Sequence, residues 1–353
     1  PPMEENQDTS ETRVLLSSML ALPEIEYQTS SGDAKPLVSG DGRSATVVNL
    51  WATWCPPCVA ELAEWREAAT SLAASDVQVV ALSVDGVDTR QGSVTEAQKR
   101  MQPEGPLTFG FADEKTLTQL QLIHDFLFDS HQQLPLPCTF LIDAEGRVAA
   151  FYRGRVSVET LLNDVQQSQA PLKARILAST PFPGRWHFHR AQLNPHGLVW
   201  QWLQRGWVSE ANHYIQQHAA VLSEHPSFHN LLVLAGNGVL GKGDAATAIQ
   251  YYRQALEIAP NDADAHNNLG WLYATHPDEQ VRNPQLALTH AEAARDLSPN
   301  RPSVLDTLAV ALAANGRRAE AIRVTEQAIE LAEKTGDTPL LKSLRAQLKQ
   351  LQK

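Results

Sequence analysis

The 353-residue chain contains three cysteines and three methionines, and no apolar run approaches 18 residues. Three cysteines exclude a multiply bridged disulfide scaffold. The missing apolar run excludes a membrane-spanning helix within the sequence as given. Positive charge is also scarce, with 29 Lys and Arg against 40 Asp and Glu. Such a chain has no basic field for a phosphate backbone, so nucleic acid is excluded as a partner. The imbalance is local. Residues 1–183 hold 13 basic and 24 acidic residues, whereas residues 184–353 hold 16 of each. A 43% hydrophobic and 20% charged composition is globular rather than disordered. The length exceeds what one hydrophobic core normally supports, so two or more domains are expected. The first residue is Pro1, so the lack of a leader or anchor carries no weight.

Residues 1–22 read as a polar, acidic tail over 1–11 and a short helix over 12–22, stopped by Pro23. A domain over 23–170 follows, in which strand and helix signals alternate. Ile25–Gln28 is a weak strand, and Thr46–Trp51 and Val77–Val84 are apolar runs suited to strands buried on both faces. Leu107–Phe111, Thr139–Asp143 and Arg147–Arg153 complete the strands, the last two joined through Ala144-Glu145-Gly146 as a hairpin. Helices are predicted over 57–74, 94–101, 115–128 and 158–167. The fold class is therefore α/β, a central mixed sheet with helices on both faces.

Residues 171–197 carry Pro171, Pro181, Pro183, Gly184, Pro195 and Gly197 and are expected to be an irregular junction. Beyond it only helical patterns remain, over 198–353, and they repeat. Pro260 follows Pro226 by 34 residues, and Pro299 closes a second unit lengthened by a loop near Pro277–Pro284. Gly270, Ala287, Ala291, Ala294, Ala321 and Ala328 place small residues where helices touch, and Tyr273, Leu305 and Leu308 place large ones at the groove. This resembles the tetratricopeptide pattern and implies an all-α solenoid that binds a peptide or protein in its groove. Trp200–Leu222 is a degenerate first pair and Thr338–Leu351 a terminal capping helix.

The chemistry lies in Trp51-Ala52-Thr53-Trp54-Cys55-Pro56-Pro57-Cys58, a C-x-x-C pair between a buried strand and a helix start. That setting reads as a redox dithiol rather than half a zinc site, since no second C-x-x-C exists. Unpaired N–H groups at a helix start favour a thiolate at Cys55. Cys58 is one turn on. Pro57 suits the first turn, where its missing N–H costs nothing. Cys55 is thus expected to be the exposed attacking thiol and Cys58 the buried resolving thiol.

Asn49-Leu50-Trp51-Ala52-Thr53-Trp54-Cys55-Pro56-Pro57-Cys58, followed by Leu136-Pro137-Cys138-Thr139-Phe140-Leu141-Ile142-Asp143, resembles the TlpA/ResA group of thioredoxin-like bacterial thiol–disulfide oxidoreductases over residues 23–168. The resemblance implies a cis Pro137 facing the cysteines, with the peptide group before it open to an extended substrate. It implies substrate contacts at Trp54, Pro56 and Leu136. It also implies that Glu61, three residues after Cys58, shuttles the proton of the dithiol. Glu61 alternatively reads as a solvated helix residue beside Glu64 and Glu67. Asn49 replaces the buried aspartate of ordinary thioredoxins, in keeping with this group. Cys138 is either a third redox thiol or a packed, inert residue.

His187, His189 and His196 lack an organising carboxylate and are read as junction packing, not a metal site. Asp85, Asp88, Asp113 and Asp129 do not have calcium-loop spacing. No metal or organic cofactor is expected. The combined expectation is a thiol–disulfide oxidoreductase, recharged by an upstream dithiol protein, with a repeat domain that recruits a protein partner. The TlpA/ResA resemblance implies an extracytoplasmic location and the direction of a protein-disulfide reductant. The rival is a repeat-based scaffold whose thioredoxin fold docks or senses. A peroxide-reducing redoxin fits the paired cysteines less well.

Overall fold

A computed structural model describes residues 12–87, 92–101, 105–128, 132–179 and 193–353. The chain divides into two compact units between Leu198 and Val199. In the first, eight strands run as β1 (Thr12–Ala21), β2 (Glu26–Thr29), β3 (Ala34–Pro36), β4 (Ala45–Trp51), β5 (Val77–Ser83), β6 (Leu107–Phe111), β7 (Cys138–Asp143) and β8 (Arg147–Arg153). They form one sheet in the order β1-β8-β7-β4-β5-β6-β2-β3. β4, β5 and β6 are parallel, and β7, β8 and β1 add antiparallel on one side. All seven residues of β4 are buried, as a strand in the middle of such a sheet requires.

The helices of this unit are α1 (Pro56–Glu67), α2 (Ala69–Ala74), α3 (Val94–Arg100), α4 (Glu114–Phe128), α5 (Val158–Ser168) and α6 (Leu172–Ala178). The helix expected over 57–74 is two, because Ala68 departs from helical geometry at φ −92° and ψ 11°. Ser93 and Ser157 cap α3 and α5 by accepting the N–H of Glu96 and Thr160.

Two expectations are corrected. Residues 12–21 are not a helix but the edge strand β1, paired with β8 from Thr12↔Arg153 to Ala21↔Arg147. Leu15, Leu16, Met19 and Leu20 carry helix-like spacing, but the open side of β8 satisfies the backbone in extended form. Buried Asp164 of α5 secures the strand: it accepts from Arg13 Nε at 2.7 Å and from the Tyr152 hydroxyl at 2.8 Å. Residues 171–197 are not irregular throughout, since α6 begins directly after Pro171 and a further helix starts at His196. The tail over 1–11, and Asp88, Asp129, His187 and His189, lie outside the described residues.

The second unit is helical. Its elements are α7 (His196–Gln204), which crosses the division, α8 (Val208–Leu222), α9 (Phe228–Gly241), α10 (Ala245–Ile258), α11 (Ala263–Thr275), α12 (Pro284–Leu297), α13 (Pro302–Ala314), α14 (Arg318–Thr335) and α15 (Thr338–Leu351). Ala248, Ala255, Ala287, Ala291, Ala294, Ala321 and Ala328 are fully buried, which lets neighbouring backbones approach. Gly270 of α11 sits where a Cβ would meet Ala291 N at 3.1 Å and Thr307 Cγ2 at 3.2 Å. Asp244, Asp262, Asn283 and Asp337 cap four of the helices through their side chains. No helix among the described residues is long and apolar enough to cross a membrane.

Candidate active site

The strand-to-helix passage from β4 to α1 builds the dithiol. Trp51 ends β4, and a turn closes when the Cys55 N–H donates to Ala52 O at 3.2 Å. Cys55 is the N-cap of α1, with Pro56 and Pro57 in the first turn. Its Sγ accepts the Cys58 N–H at 3.3 Å. The two cysteines are joined as a disulfide, with Cα atoms 5.3 Å apart. Cys55 is not the openly exposed thiol expected from sequence: it is 3% exposed and Cys58 0%. The exposed residues here are Pro56 and Pro57, with Trp54 half-buried before them.

Glu61 lies one turn after Cys58 on α1 and is fully buried, which removes the reading of a solvated glutamate. Its Oε1 accepts the Val156 N–H at 2.7 Å, and its Oε2 accepts from Asn49 Nδ2 at 3.0 Å. Asn49 also donates to Thr139 Oγ1 at 2.9 Å, so β4, β7 and α1 meet at one amide. Burial lifts the Glu61 carboxyl from its ordinary 4.5 to about 8, against the opposing pull of those two donors. α1 holds the other side of Val156 too, since Trp65 Nε1 donates to its carbonyl at 3.1 Å. Beside this loop lies a polar cavity of about 360 Å³, walled by Arg13, Glu64, Tyr152 and Arg155. Its two arginines are paired with Asp164 and Glu64.

The peptide bond between Leu136 and Pro137 is cis, and Pro137 O accepts the Gly154 N–H at 2.9 Å. Leu136 is buried. Cys138 opens β7 opposite Leu50, is fully buried and carries a free thiol. Burial first, and the nearby Glu61 carboxylate second, push that thiol far above its ordinary range. Among the described residues no cluster of three or more His, Cys, Asp or Glu could hold a metal.

Sequence reasoning missed two residues. Thr139, the other partner of Asn49, was legible only as the residue after Pro137-Cys138. Asp85 was passed over as one acid among several. It is 3% exposed and accepts the Thr53 N–H at 3.0 Å and the Thr53 hydroxyl at 2.8 Å. Its position at the end of β5, beside β4, was the available signal.

An α/β sheet with a dithiol at the start of its first long helix and a cis-proline before β7 is the arrangement of a thioredoxin-like fold, here followed by a helical region with a tetratricopeptide-like pattern. Residues 20–151 match the AhpC/TSA family and residues 240–276 match a TPR repeat. Among curated proteins, the chain is 27% identical over 129 residues to the thiol-disulfide oxidoreductase ResA of Oceanobacillus iheyensis, covering 35% of this chain and 58% of that protein. It is 28% identical over 114 residues to ResA of Bacillus thuringiensis subsp. konkukian, covering 32% and 57%. The chain thus spans less than two thirds of the length of these relatives. Among solved structures, a thioredoxin-family thiol:disulfide interchange protein from Chlorobium tepidum TLS aligns at 21% identity and a TM-score of 0.35, covering 42% of this chain and 96% of that one. MamA from Desulfovibrio magneticus RS-1 aligns at 18% identity and a TM-score of 0.34, covering 44% and 92%. Scores this low add nothing to the strand order given above.

Proposed function

We propose that the protein is a thiol–disulfide oxidoreductase that reduces protein disulfides. The observation that carries this reading is the Cys55–Cys58 disulfide at the start of α1, with Cys55 Sγ accepting the Cys58 N–H. In the reduced protein the same N–H and the positive end of the helix favour a thiolate at Cys55. That thiolate attacks one sulfur of a substrate disulfide, and the other sulfur leaves as a thiolate. Cys58, giving its proton to Glu61, then attacks Cys55 and releases the second substrate sulfur. The substrate gains two electrons and, with protons from Glu61 and solvent, ends as two thiols. The Cys55–Cys58 pair ends as the disulfide, and an upstream dithiol protein returns it to the reduced form.

Trp54, Pro56, Leu136 and Pro137 are the substrate-facing residues in this reading, supported by their resemblance to the ResA-like motif. The repeat unit recruits a protein partner. Support comes from the TPR match and from Trp271, a large apolar side chain 40% exposed on α11. Recruitment through one chain raises the effective concentration at the dithiol to about the millimolar range. An extracytoplasmic setting follows from the same resemblance.

The test is a redox titration with alkylation and mass readout at each cysteine. A reversible two-electron Cys55–Cys58 couple below about −200 mV is expected. Cys55→Ser should abolish reduction of a disulfide-bonded test protein, and Cys58→Ser should trap mixed disulfides. Absence of a reversible couple, or full activity in Cys55→Ser, would overturn the proposal.

A further inference from the structure

Asp85, Asp143 and Asp164 are buried acids of the first unit that the exchange reading leaves unused, and Asp85 bonds to the dithiol loop. Asp85 sits just past β5, next to the β4 end from which the dithiol loop departs. Its Oδ2 accepts the Thr53 N–H at 3.0 Å and the Ser83 hydroxyl at 2.7 Å, and its Oδ1 accepts the Thr53 hydroxyl at 2.8 Å. Its own N–H donates back to Ser83 Oγ at 3.1 Å. The donors that reach it among the described residues are neutral, and the carboxylate is nearly inaccessible. Burying a carboxylate is costly unless its acceptors are filled, and here three donors converge on it.

Packing fixes the carboxylate as tightly as its bonds do. A Cβ at Gly92 would lie 2.0 Å from Asp85 Oδ1 and 2.9 Å from its Cγ. Only a glycine leaves the carboxylate room. Thr53, in turn, is the first of the two central residues in the turn closed by the Cys55 N–H and Ala52 O. That turn delivers Cys55 Sγ to its position on the Cys58 N–H.

We infer that Asp85 is a positioning residue for the dithiol: it clamps Thr53, and through Thr53 it holds Cys55 at the helix cap. The inference rests on the exchange reading above. It gives Asp85 a definite sign. As a bare neighbouring charge, Asp85 would disfavour the Cys55 thiolate. As a clamp it favours the thiolate, because the cap N–H and the helix dipole act only within the first turn. The clamp prevails, since three donors already take up the carboxylate's charge.

The experiment is the pH profile of iodoacetamide labelling at Cys55 in the reduced full-length chain, read by mass, with thermal melts run alongside. Asp85→Ala should move the profile to higher pH and slow labelling at pH 7 by about tenfold, the equivalent of one pKa unit. Gly92→Ala keeps the acid and its charge but displaces it, and should do the same. Asp85→Asn, whose amide oxygen still accepts, should fall between. Thr53→Ala, which loses only the hydroxyl bond, should shift less and in the same direction. If Asp85→Ala does not fold, Gly92→Ala and Thr53→Ala carry the test. Profiles unchanged, or moved to lower pH, would overturn the inference while leaving the exchange reading intact. A wild-type protein without a reversible couple would overturn both.

Discussion

Asn49 and Glu61 meet amide to carboxylate at 3.0 Å, with neither exposed to solvent. Asn49 Nδ2 serves both Glu61 and Thr139, and Asn49 Oδ1 is buried with no partner among the described residues. A protonated Glu61 would find its acceptor by a flip of that amide, with the Thr139 hydroxyl turning from acceptor to donor. The pair can therefore host either protonation state of Glu61, as a proton carrier requires.

This relationship sets a pH dependence. The Glu61 carboxyl is raised from 4.5 to about 8 by burial, so the folded protein keeps a proton that the unfolded chain releases. The stability it contributes is full below about pH 4.5 and is lost as pH rises toward 8, at up to about 1.4 kcal/mol per pH unit. Glu61→Gln should abolish this slope and melt higher than the wild type at pH 8, with little difference at pH 4.5. Equal slopes in the two proteins would show that Glu61 titrates normally.

The second unit should respond in the opposite sense. His266 Nε2 lies 3.1 Å from Pro260 O and must donate there, so in the neutral pair His290 donates to His266 across 2.9 Å. Burial first, then His266 and Arg253, lower His290 from 6.5 to about 4. Its contribution is present above pH 6.5 and is lost as pH falls toward 4. His290→Gln should flatten the acid side of the melting curve, and an unchanged acid limb would count against the neutral pair.

Cys138 should be silent in the native protein. It is fully buried, and its thiol is shifted far upward by burial. In the reduced protein at pH 8, alkylation should reach Cys55 well before Cys138, with labelling of Cys138 appearing only on unfolding. Labelling of both at comparable rates under native conditions would restore it as a third redox thiol.

Helix packing in the repeats should be intolerant at Gly270. A methyl there meets the backbone of α12 and Thr307 of α13 at 3.1–3.3 Å. Gly270→Ala gains helix propensity of about 1 kcal/mol but should lose about 1–3 kcal/mol to overpacking. The net effect should be a lower denaturation midpoint, and a rise would mean that the α11–α12 contact has slack.

Much of the fold was legible because burial writes itself into residue type. Val47, Val48 and Leu50, and Val79, Val80 and Leu82, announce strands covered on both faces. Small residues at fixed spacing announce the stacked helices. β1 was not legible, because what makes it a strand is an open neighbour in β8 more than 120 residues away. β3 spans three residues, too few to carry a period. In the site, the cysteines and Pro137 stand in local motifs, and Glu61 follows by helix spacing. The Asn49–Thr139 and Asp85–Thr53 contacts join residues 90 and 32 positions apart. Nothing local distinguishes Asp85 from the other loop acids.

The irregular pairing of β1 bears on how the molecule behaves in a crowd. Between Leu15↔Ala150 and Leu20↔Val148, β1 advances five residues while β8 advances two, so the outermost strand is broken by a bulge. Arg175 of α6 reaches Met19 within that bulge. At the far margin, β3 is short, fully exposed and ends on Pro36, which has no N–H to offer. Neither margin presents a long, even row of amides and carbonyls. Among the described residues, neither edge offers a second molecule a long, regular template on which to add a strand, and broken or very short edges of this kind oppose edge-to-edge association.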